Sequence, residues 1–251
     1  MNHKIALVTG GSRGLGRNMA LQLAEKGSDV ILTYNSREDE ALEVVKEIEG
    51  KGRKAATLQL NVGETKSFDN FISQISQILK EKWERDTFDF LINNAGVEAN
   101  GSIAETTEET FDLLCNVHFK GAFFLTQKSL PLVADGGRII NLSSGLARFV
   151  GPGYAAYASM KGAIEVFTRY LAKEVGARGI TANVVAPGPI QTDFTKDLFE
   201  NEQAIGFVTS QTALGRTGVP EDIGGIVAFL CSEEARWITA QRIEASGGLL
   251  L

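Results

Sequence analysis

The chain has 251 residues, of which 43% are hydrophobic and 22% charged, proportions that exclude general disorder. Its 25 basic and 31 acidic residues leave a net charge of −6, without the basic excess of a nucleic-acid binder. A chain of this size removes on the order of 70–75% of its unfolded surface from water, enough for a sizeable core. The two cysteines, Cys115 and Cys231, and the two histidines, His3 and His118, lack zinc-ligand spacing, so neither a disulfide scaffold nor a metal site is expected. Both cysteines stand in apolar runs and are expected to be buried thiols of a reducing compartment. Only about five apolar residues precede Thr9, and no stretch of about 18 apolar residues occurs. Neither a signal peptide nor a membrane span is therefore expected, and a cytoplasmic location is.

Glycine is the compositional outlier, with 27 residues against the roughly 7% of an average chain. The glycines mark the ends of apolar runs that alternate between strand and helix. Ile5–Thr9 reads as a strand, followed by a glycine turn and a helix over Leu15–Lys26. Asp29–Tyr34 is a second strand, and Glu38–Gly50 carries apolar residues at helical spacing. Ala55–Leu60 is a third strand and Ser67–Lys82 a helix, whose charged end over Lys80–Asp86 is expected to be solvated. Phe88–Ile92 is a fourth strand, stopped at Asn93-Asn94-Ala95-Gly96. Thr107–Leu130 reads as one helix or two, Gly137–Leu142 as a fifth strand and Tyr154–Val175 as a long helix. Ile180–Ala186 is a sixth strand, Pro220–Cys231 a helix and Arg242–Ala245 a final strand. The segment Ile190–Arg216 is expected to be a long irregular loop.

Strands alternating with helices imply βαβ units and a parallel sheet covered on both faces. No composition break divides the chain, so residues 1–251 are expected to form one doubly wound α/β domain. A ligand then belongs at the carboxyl ends of the strands.

Three places could carry chemistry. The segment Thr9-Gly10-Gly11-Ser12-Arg13-Gly14-Leu15-Gly16 joins the first strand to the first helix, where glycine permits a sharp turn and close approach of a pyrophosphate. It lacks the Gly-Lys-Ser/Thr ending of an ATP-binding loop. In the long helix, Tyr157 and Lys161 stand four residues apart and share a face. A cation beside a phenol favours the phenolate and suits proton transfer near neutral pH; Tyr154 is a second phenol, two turns from Lys161. Ser143 and Ser144, at the carboxyl end of the fifth strand, fall in the same crevice. Asn116 is a polar residue in an apolar helical stretch, where propensity disfavours it without a compensating contact. His118, two residues on, points to a different face and is assigned no chemistry.

Together these motifs resemble the short-chain dehydrogenases/reductases from Ile5 to Gly248. The resemblance rests on TGGSRGLG at 9–16, NNAG at 93–96, Asn116, Ser144, Tyr157-Ala158-Ser159-Met160-Lys161 and Pro187-Gly188. It implies a single Rossmann-type domain with a parallel seven-stranded sheet, and a catalytic set of Asn116, Ser144, Tyr157 and Lys161. Tyr157 would be the general acid in carbonyl reduction, and Lys161 would hold the nicotinamide ribose and lower the tyrosine pKa. Ser144 would hydrogen-bond the substrate oxygen, and Asn116 would hold Lys161 through a water. The cofactor would lie along Gly10, Ser12, Arg13, Gly14, Leu15 and Gly16, then Asn35, Ser36 and Arg37, Asn61 and Val62, and Asn94, Ala95 and Gly96. Pro187, Gly188, Ile190 and Thr192 would flank its nicotinamide end, beside Tyr157 and Lys161.

Enzymes that use NAD place an acid at the end of the second strand. Here Tyr34 is followed by Asn35, Ser36 and Arg37, and Arg13 and Arg37 can meet a 2′-phosphate, so NADP(H) is expected in preference to NAD. Asn61 replaces an aspartate that commonly contacts the adenine. The expected activity is reduction of a small ketone or aldehyde, or the reverse oxidation of a secondary alcohol. Two alternatives are a 3-oxoacyl-carrier-protein reductase and a non-catalytic dinucleotide-binding sensor. Against the first, Leu130–Gly137 carries no basic residue for an acidic carrier, although Arg178 is one basic group that could serve. The family usually forms homotetramers, and neither a nucleic-acid nor a membrane partner is expected.

Overall fold

A computed structural model describes residues 3–251 of the chain. The strands β1 (Ile5–Val8), β2 (Asp29–Tyr34), β3 (Ala55–Gln59), β4 (Phe88–Asn93), β5 (Val133–Leu142), β6 (Thr181–Pro187) and β7 (Arg242–Ala245) form one sheet in the order β3-β2-β1-β4-β5-β6-β7. Every neighbouring pair is parallel. The order reverses between β1 and β4, and the crevice at their carboxyl ends is where a doubly wound sheet binds its ligand.

The sheet is apolar on both faces because side chains alternate along each strand. In β1, Ala6 and Val8 enter a core layer with Met19, Leu23, Ile223 and Val227, whereas Ile5 and Leu7 enter the opposite layer with Phe68, Phe71, Leu125 and Leu171. The helices α1 (Gly14–Glu25), α2 (Glu38–Gly50) and, later in the chain, Glu221–Leu230 cover the first layer. The second is covered by α3 (Phe68–Trp83) and by the Glu108–Ser129 and Ala155–Val175 helices. Each fully buried Leu, Ile or Phe contributes about 1.5–3 kcal/mol of transfer free energy.

Four local features differ from the sequence expectation. Thr107–Leu130 is one rod with an altered middle: α4 (Glu108–Cys115) runs through a π-helical turn over Asn116–Gly121 into α5 (Ala122–Ser129). Gly121 sits in that turn so close to the β3–α3 connection that a Cβ would overlap the carbonyl oxygen of Val62. Strand β5 begins at Val133 rather than Gly137, because a register shift lets Val133 pair with Phe88 before Arg138 pairs with Phe90. The segment 190–216 is not irregular; after α6 (Ala155–Val175) and β6 it holds α7 (Lys196–Glu200) and α8 (Glu202–Ser210), ahead of α9 (Glu221–Leu230). Asn201 caps α8 by accepting from the Ala204 N–H, a short-range signal that the scattered apolar pattern masks. Lastly, Cys231 is buried but Cys115 is only half-buried, since it lies on the flank of α4.

Candidate active site

The crevice floor is built by glycines. Gly10 and Gly14 hold φ at +63° and +54°, a region that a side chain disfavours. A Cβ on Gly16 would overlap the Gly10 carbonyl oxygen. Arg13, at the N-cap of α1, makes no side-chain cap, and the first turn carries no acid. The leading N–H groups of α1 and the positive end of its dipole therefore suit an anion. Ser12 is buried beneath the turn, and Leu15 is half-buried. Asn94 fastens the floor to β4: its Nδ2 donates to Thr9 O at 2.8 Å and Gly10 O at 3.1 Å. Thr9 Oγ1 accepts in turn from the Asn94 and Ala95 N–H groups.

Around this floor stand the other expected cofactor contacts. Asn35, Ser36 and Arg37 are exposed beyond β2, and Arg37 pairs with Glu40 at 2.5 Å. Arg13 is exposed on the rim and pairs with Asp193 at 3.2 Å. The Asn61 side chain folds back to accept from the Gly63 N–H at 3.0 Å, and Val62 beside it is buried. Gly96 is exposed at the mouth. Beyond Pro187, Gly188 passes so near Ser246 that a Cβ would lie 2.8 Å from its Cα. Ile190 is buried and bridges to Gly218. Thr192 stands over the glycine turn, 3.6 Å from where a Gly14 Cβ would be. A bare helix start and a tightly packed glycine floor fit a dinucleotide, and Arg13 and Arg37 are exposed basic side chains, each paired with a carboxylate.

At the other end of the crevice, Tyr157 and Lys161 project from the same face of α6. Lys161 is 5% exposed, and its Nζ donates to Leu142 O at 2.8 Å, 5.5 Å from the centre of the Tyr157 ring. Burial pulls the Lys161 ammonium down to about 7. The half-buried Tyr157 side chain has its phenol pushed above the usual range, chiefly by desolvation, with the nearby Glu98 and Tyr154 adding to the rise; a hydrogen bond with Ser144 opposes it. The expectation that Lys161 lowers the phenol pKa is thus not met. Its ammonium lies toward the ring rather than at the oxygen, and desolvation dominates.

The two serines separate cleanly. Ser143 Oγ donates to Glu165 Oε1 at 2.7 Å and to Lys161 O at 3.3 Å, so it is a buried fastener between β5 and α6. Ser144 Oγ faces Tyr157 and accepts from the Leu146 N–H at 3.2 Å. Behind it, Arg242 on β7 donates to Ser144 O at 3.3 Å, Glu165 at 2.6 Å and Glu244 at 2.9 Å. Arg148, with Arg242 and Ser246, holds the Glu244 carboxyl down to about 2.

No direct side-chain hydrogen bond ties Asn116 to this group among the described residues. Asn116 is half-buried at the start of the π turn. A small cavity at Lys161 is lined by Thr9, Asn93, His118 and Asn141, not by Asn116. Residues two apart on a helix point nearly opposite ways at about 100° per residue, and the His118 side of the π turn lines the cavity at Lys161. His118 is 3% exposed, and its ring meets Tyr157 edge-on at 5.0 Å between centres. Its Nε2 donates to Val97 O at 2.7 Å. Burial and the Lys161 charge hold its pKa down to about 3, so it is neutral. The sequence signal for it was the same one that singled out Asn116, a polar residue on an apolar helix.

Glu98 is a residue that the sequence did not single out. It is half-buried beside Tyr157, and burial together with the Asp197 charge raises its pKa. On the open side, Phe194 and Tyr154 flank the Tyr157 ring at 6.2 Å and 6.5 Å between centres.

A crevice of this construction has counterparts in known proteins. A family model described as enoyl-(acyl carrier protein) reductase matches residues 10–250. A hydroxynaphthalene reductase-like protein of Metarhizium brunneum is 36% identical, over 98% of this chain and 94% of its own. A 3-oxoacyl-[acyl-carrier-protein] reductase of Staphylococcus aureus is 38% identical, over 99% and 98%. Among solved structures, an angucycline C-6 ketoreductase with bound NADP superimposes with a TM-score of 0.93 at 40% identity, over 98% of this chain and 95% of its own. A mutant short-chain dehydrogenase/reductase of Serratia marcescens does so at 0.91 and 31% identity, over 99% and 98%. Sheet order, glycine floor, tyrosine–lysine pair and full-length similarity converge: the chain belongs to the short-chain dehydrogenase/reductase family of oxidoreductases.

Proposed function

We propose that the protein is an NADP(H)-dependent ketoreductase acting on apolar or aromatic ketones. The carrying observation is the Tyr157 phenol, held at Ser144 on one side and near Lys161 on the other, at the carboxyl end of β5. The bound cofactor supplies the hydride. Tyr157, kept protonated by burial, gives its proton to the carbonyl oxygen. Ser144 donates a hydrogen bond to that oxygen as charge develops on it, a contribution typically worth about 3–4 kcal/mol. Lys161 holds the ribose hydroxyls and supplies positive charge beneath the phenol. Gly10 to Gly16 receive the pyrophosphate, and Arg13 and Arg37 receive the 2′-phosphate. Related ketoreductases and a metagenomic blue fluorescent protein are described as bound to NADP or NADPH, which supports that choice.

Phe194 and Tyr154 give the substrate side an aromatic wall. The relatives described as hydroxynaphthalene reductase-like and angucycline ketoreductase point the same way. The Staphylococcus aureus relative favours carrier-bound 3-oxoacyl substrates as the second reading. Against it, Arg178 is already engaged with Asp135 at 2.7 Å and with the Leu130 and Val133 carbonyls. A panel of polycyclic ketones, simple ketones and a carrier-bound 3-oxoacyl substrate, assayed with NADPH and NADH, tests both readings. Preference for the carrier substrate, or equal turnover with NADH, overturns the proposal.

The same reading makes the protein a cytoplasmic homotetramer of single-domain subunits. Phe119, Phe123, Phe167 and Tyr170 line a broad apolar groove between α5 and α6, supporting burial of these helices against another copy. No described helix is long and apolar enough to cross a membrane. Light scattering at micromolar concentration tests the assembly, and a monomer would refute it.

A further inference from the structure

The chain that follows β4 is pinned on two sides of Tyr157. At its start, His118 Nε2 donates to Val97 O at 2.7 Å, and a Cβ on Gly96 would lie 2.8 Å from the His118 ring. At its end, the Gly101 N–H donates to Gly153 O at 2.9 Å, one residue before Tyr154. His118 and Tyr154 both meet the Tyr157 ring edge-on. The span 97–101 is therefore held beside the phenol with little freedom. It carries one charged side chain, Glu98.

Glu98 is half-buried and makes no hydrogen bond or ion pair among the described residues. The charge that acts on it is Asp197, exposed in the first turn of α7 and of the same sign. Basic side chains on the neighbouring segments are engaged elsewhere, Lys196 with Glu200 at 3.5 Å and Arg148 with Glu244 at 2.7 Å. Solvent satisfies the carboxylate while it stays half-exposed. A substrate lying on Tyr157 between Phe194 and Tyr154 displaces that solvent, and a carboxylate stripped of water without a new donor is costly. We infer that Glu98 is a specificity-determining residue: its carboxylate accepts a hydrogen bond from a hydroxyl carried on the skeleton of the ketone. The substrate class narrows from apolar or aromatic ketones to hydroxylated ones. This rests on the reading of Tyr157 as the proton donor to the ketone.

The hydrogen-bonding sense of the two sides explains the choice of a hydroxyl. An ionised carboxylate only accepts, and so does a ketone oxygen. The carbonyl therefore takes its hydrogen bonds from Tyr157 and Ser144, while a hydroxyl turns its proton to Glu98. A hydroxyketone satisfies both sides in one orientation. An unsubstituted ketone leaves Glu98 unpaired, and a site that bonds a substrate hydroxyl rejects the analogue lacking it more strongly than an apolar pocket rejects a missing methylene.

The test compares 1-tetralone with its monohydroxylated derivatives and a matching amino derivative, with NADPH as cofactor. In the unmodified protein the best hydroxylated ketone is expected to exceed 1-tetralone in kcat/KM by about 10–100-fold, the worth of one hydrogen bond to a charged group. Glu98→Leu is expected to move the two substrates in opposite directions. The hydroxylated ketone loses about tenfold or more, whereas 1-tetralone gains several-fold because it no longer covers a carboxylate. A merely structural role would lower both. Glu98→Gln keeps the shape and a neutral acceptor, so its preference is expected to fall between the two, and it carries the test if Glu98→Leu does not fold. An unchanged hydroxyl preference in the variants, a parallel loss on both ketones, or a preference for the amino derivative alone overturns the inference. If Tyr157→Phe abolishes turnover while the unmodified protein ignores the hydroxyl, this inference fails and the reading of Tyr157 stands. Retained turnover in Tyr157→Phe, or no reduction of any of these ketones by the unmodified protein, overturns both.

Discussion

Lys161 Nζ lies 5.5 Å from the centre of the Tyr157 ring and donates to the Leu142 carbonyl at 2.8 Å, so the end of β5 and one face of α6 are locked at the reacting position. The lysine is buried and the phenol faces a serine hydroxyl. On the proposed mechanism this relationship sets where a substrate oxygen lies and which proton it receives.

Removal of that proton is the most direct check. Tyr157→Phe keeps the ring and its packing against His118 and Phe194. Turnover is expected to fall by about 10²–10⁴, the range of general acid catalysis. NADPH affinity, read by fluorescence titration, should stay close to that of the unmodified protein.

Cofactor choice should follow the two arginines. Arg13→Ala and Arg37→Ala are each expected to raise the KM for NADPH about tenfold, as for loss of a charge-assisted hydrogen bond. Kinetics with NADH should hardly change. An equal loss with both cofactors would mean that the arginines serve the loop and not the 2′-phosphate. Their pairing with Asp193 and Glu40 implies that these acids exchange partners when the phosphate arrives.

Lys161 also makes stability depend on pH. Its folded pKa of about 7 lies below its ordinary 10.5, so between those values the unfolded chain binds a proton that the folded chain does not. Stability therefore rises with pH across this window, and the full cost of the buried ammonium is present below it. Thermal melts of the cofactor-free protein should show Lys161→Met raising Tm near pH 7, by about 2–4 °C for each kcal/mol relieved. The gain should shrink toward pH 10. A pH-independent gain would refute the assignment.

Arg242 is expected to act on the reaction through Ser144. Its guanidinium joins the Ser144 carbonyl to Glu165 and Glu244. Arg242→Met leaves two carboxylates short of a partner, at a cost of about 1–3 kcal/mol. kcat should fall about tenfold as Ser144 loses its position. A stability loss with unchanged kcat would show that Arg148 alone holds the serine loop.

Much of this protein is legible in its sequence, and the reason is local. In the described structure β2, α2 and β7 have the bounds that periodicity assigns, because runs apolar on both faces and helical spacing state how each segment must be buried. The glycine turn and the Tyr157–Lys161 pair are legible for the same reason: φ sign and four-residue spacing are properties of a few consecutive residues. The segment 190–216 was less so, since its short helices α7 and α8 bury no residue fully and leave a weak pattern. What only the tertiary structure decided lies across elements. Asn116 and His118 are both polar residues on an apolar helix, and packing of the π turn against α6 brings the histidine to the lysine. Arg178 is basic in either view, but the fold commits it to Asp135 and two carbonyls. The Tyr157 pKa was expected to fall beside a cation and instead rises, because desolvation is set by everything packed around the oxygen and no single neighbour in the chain determines it.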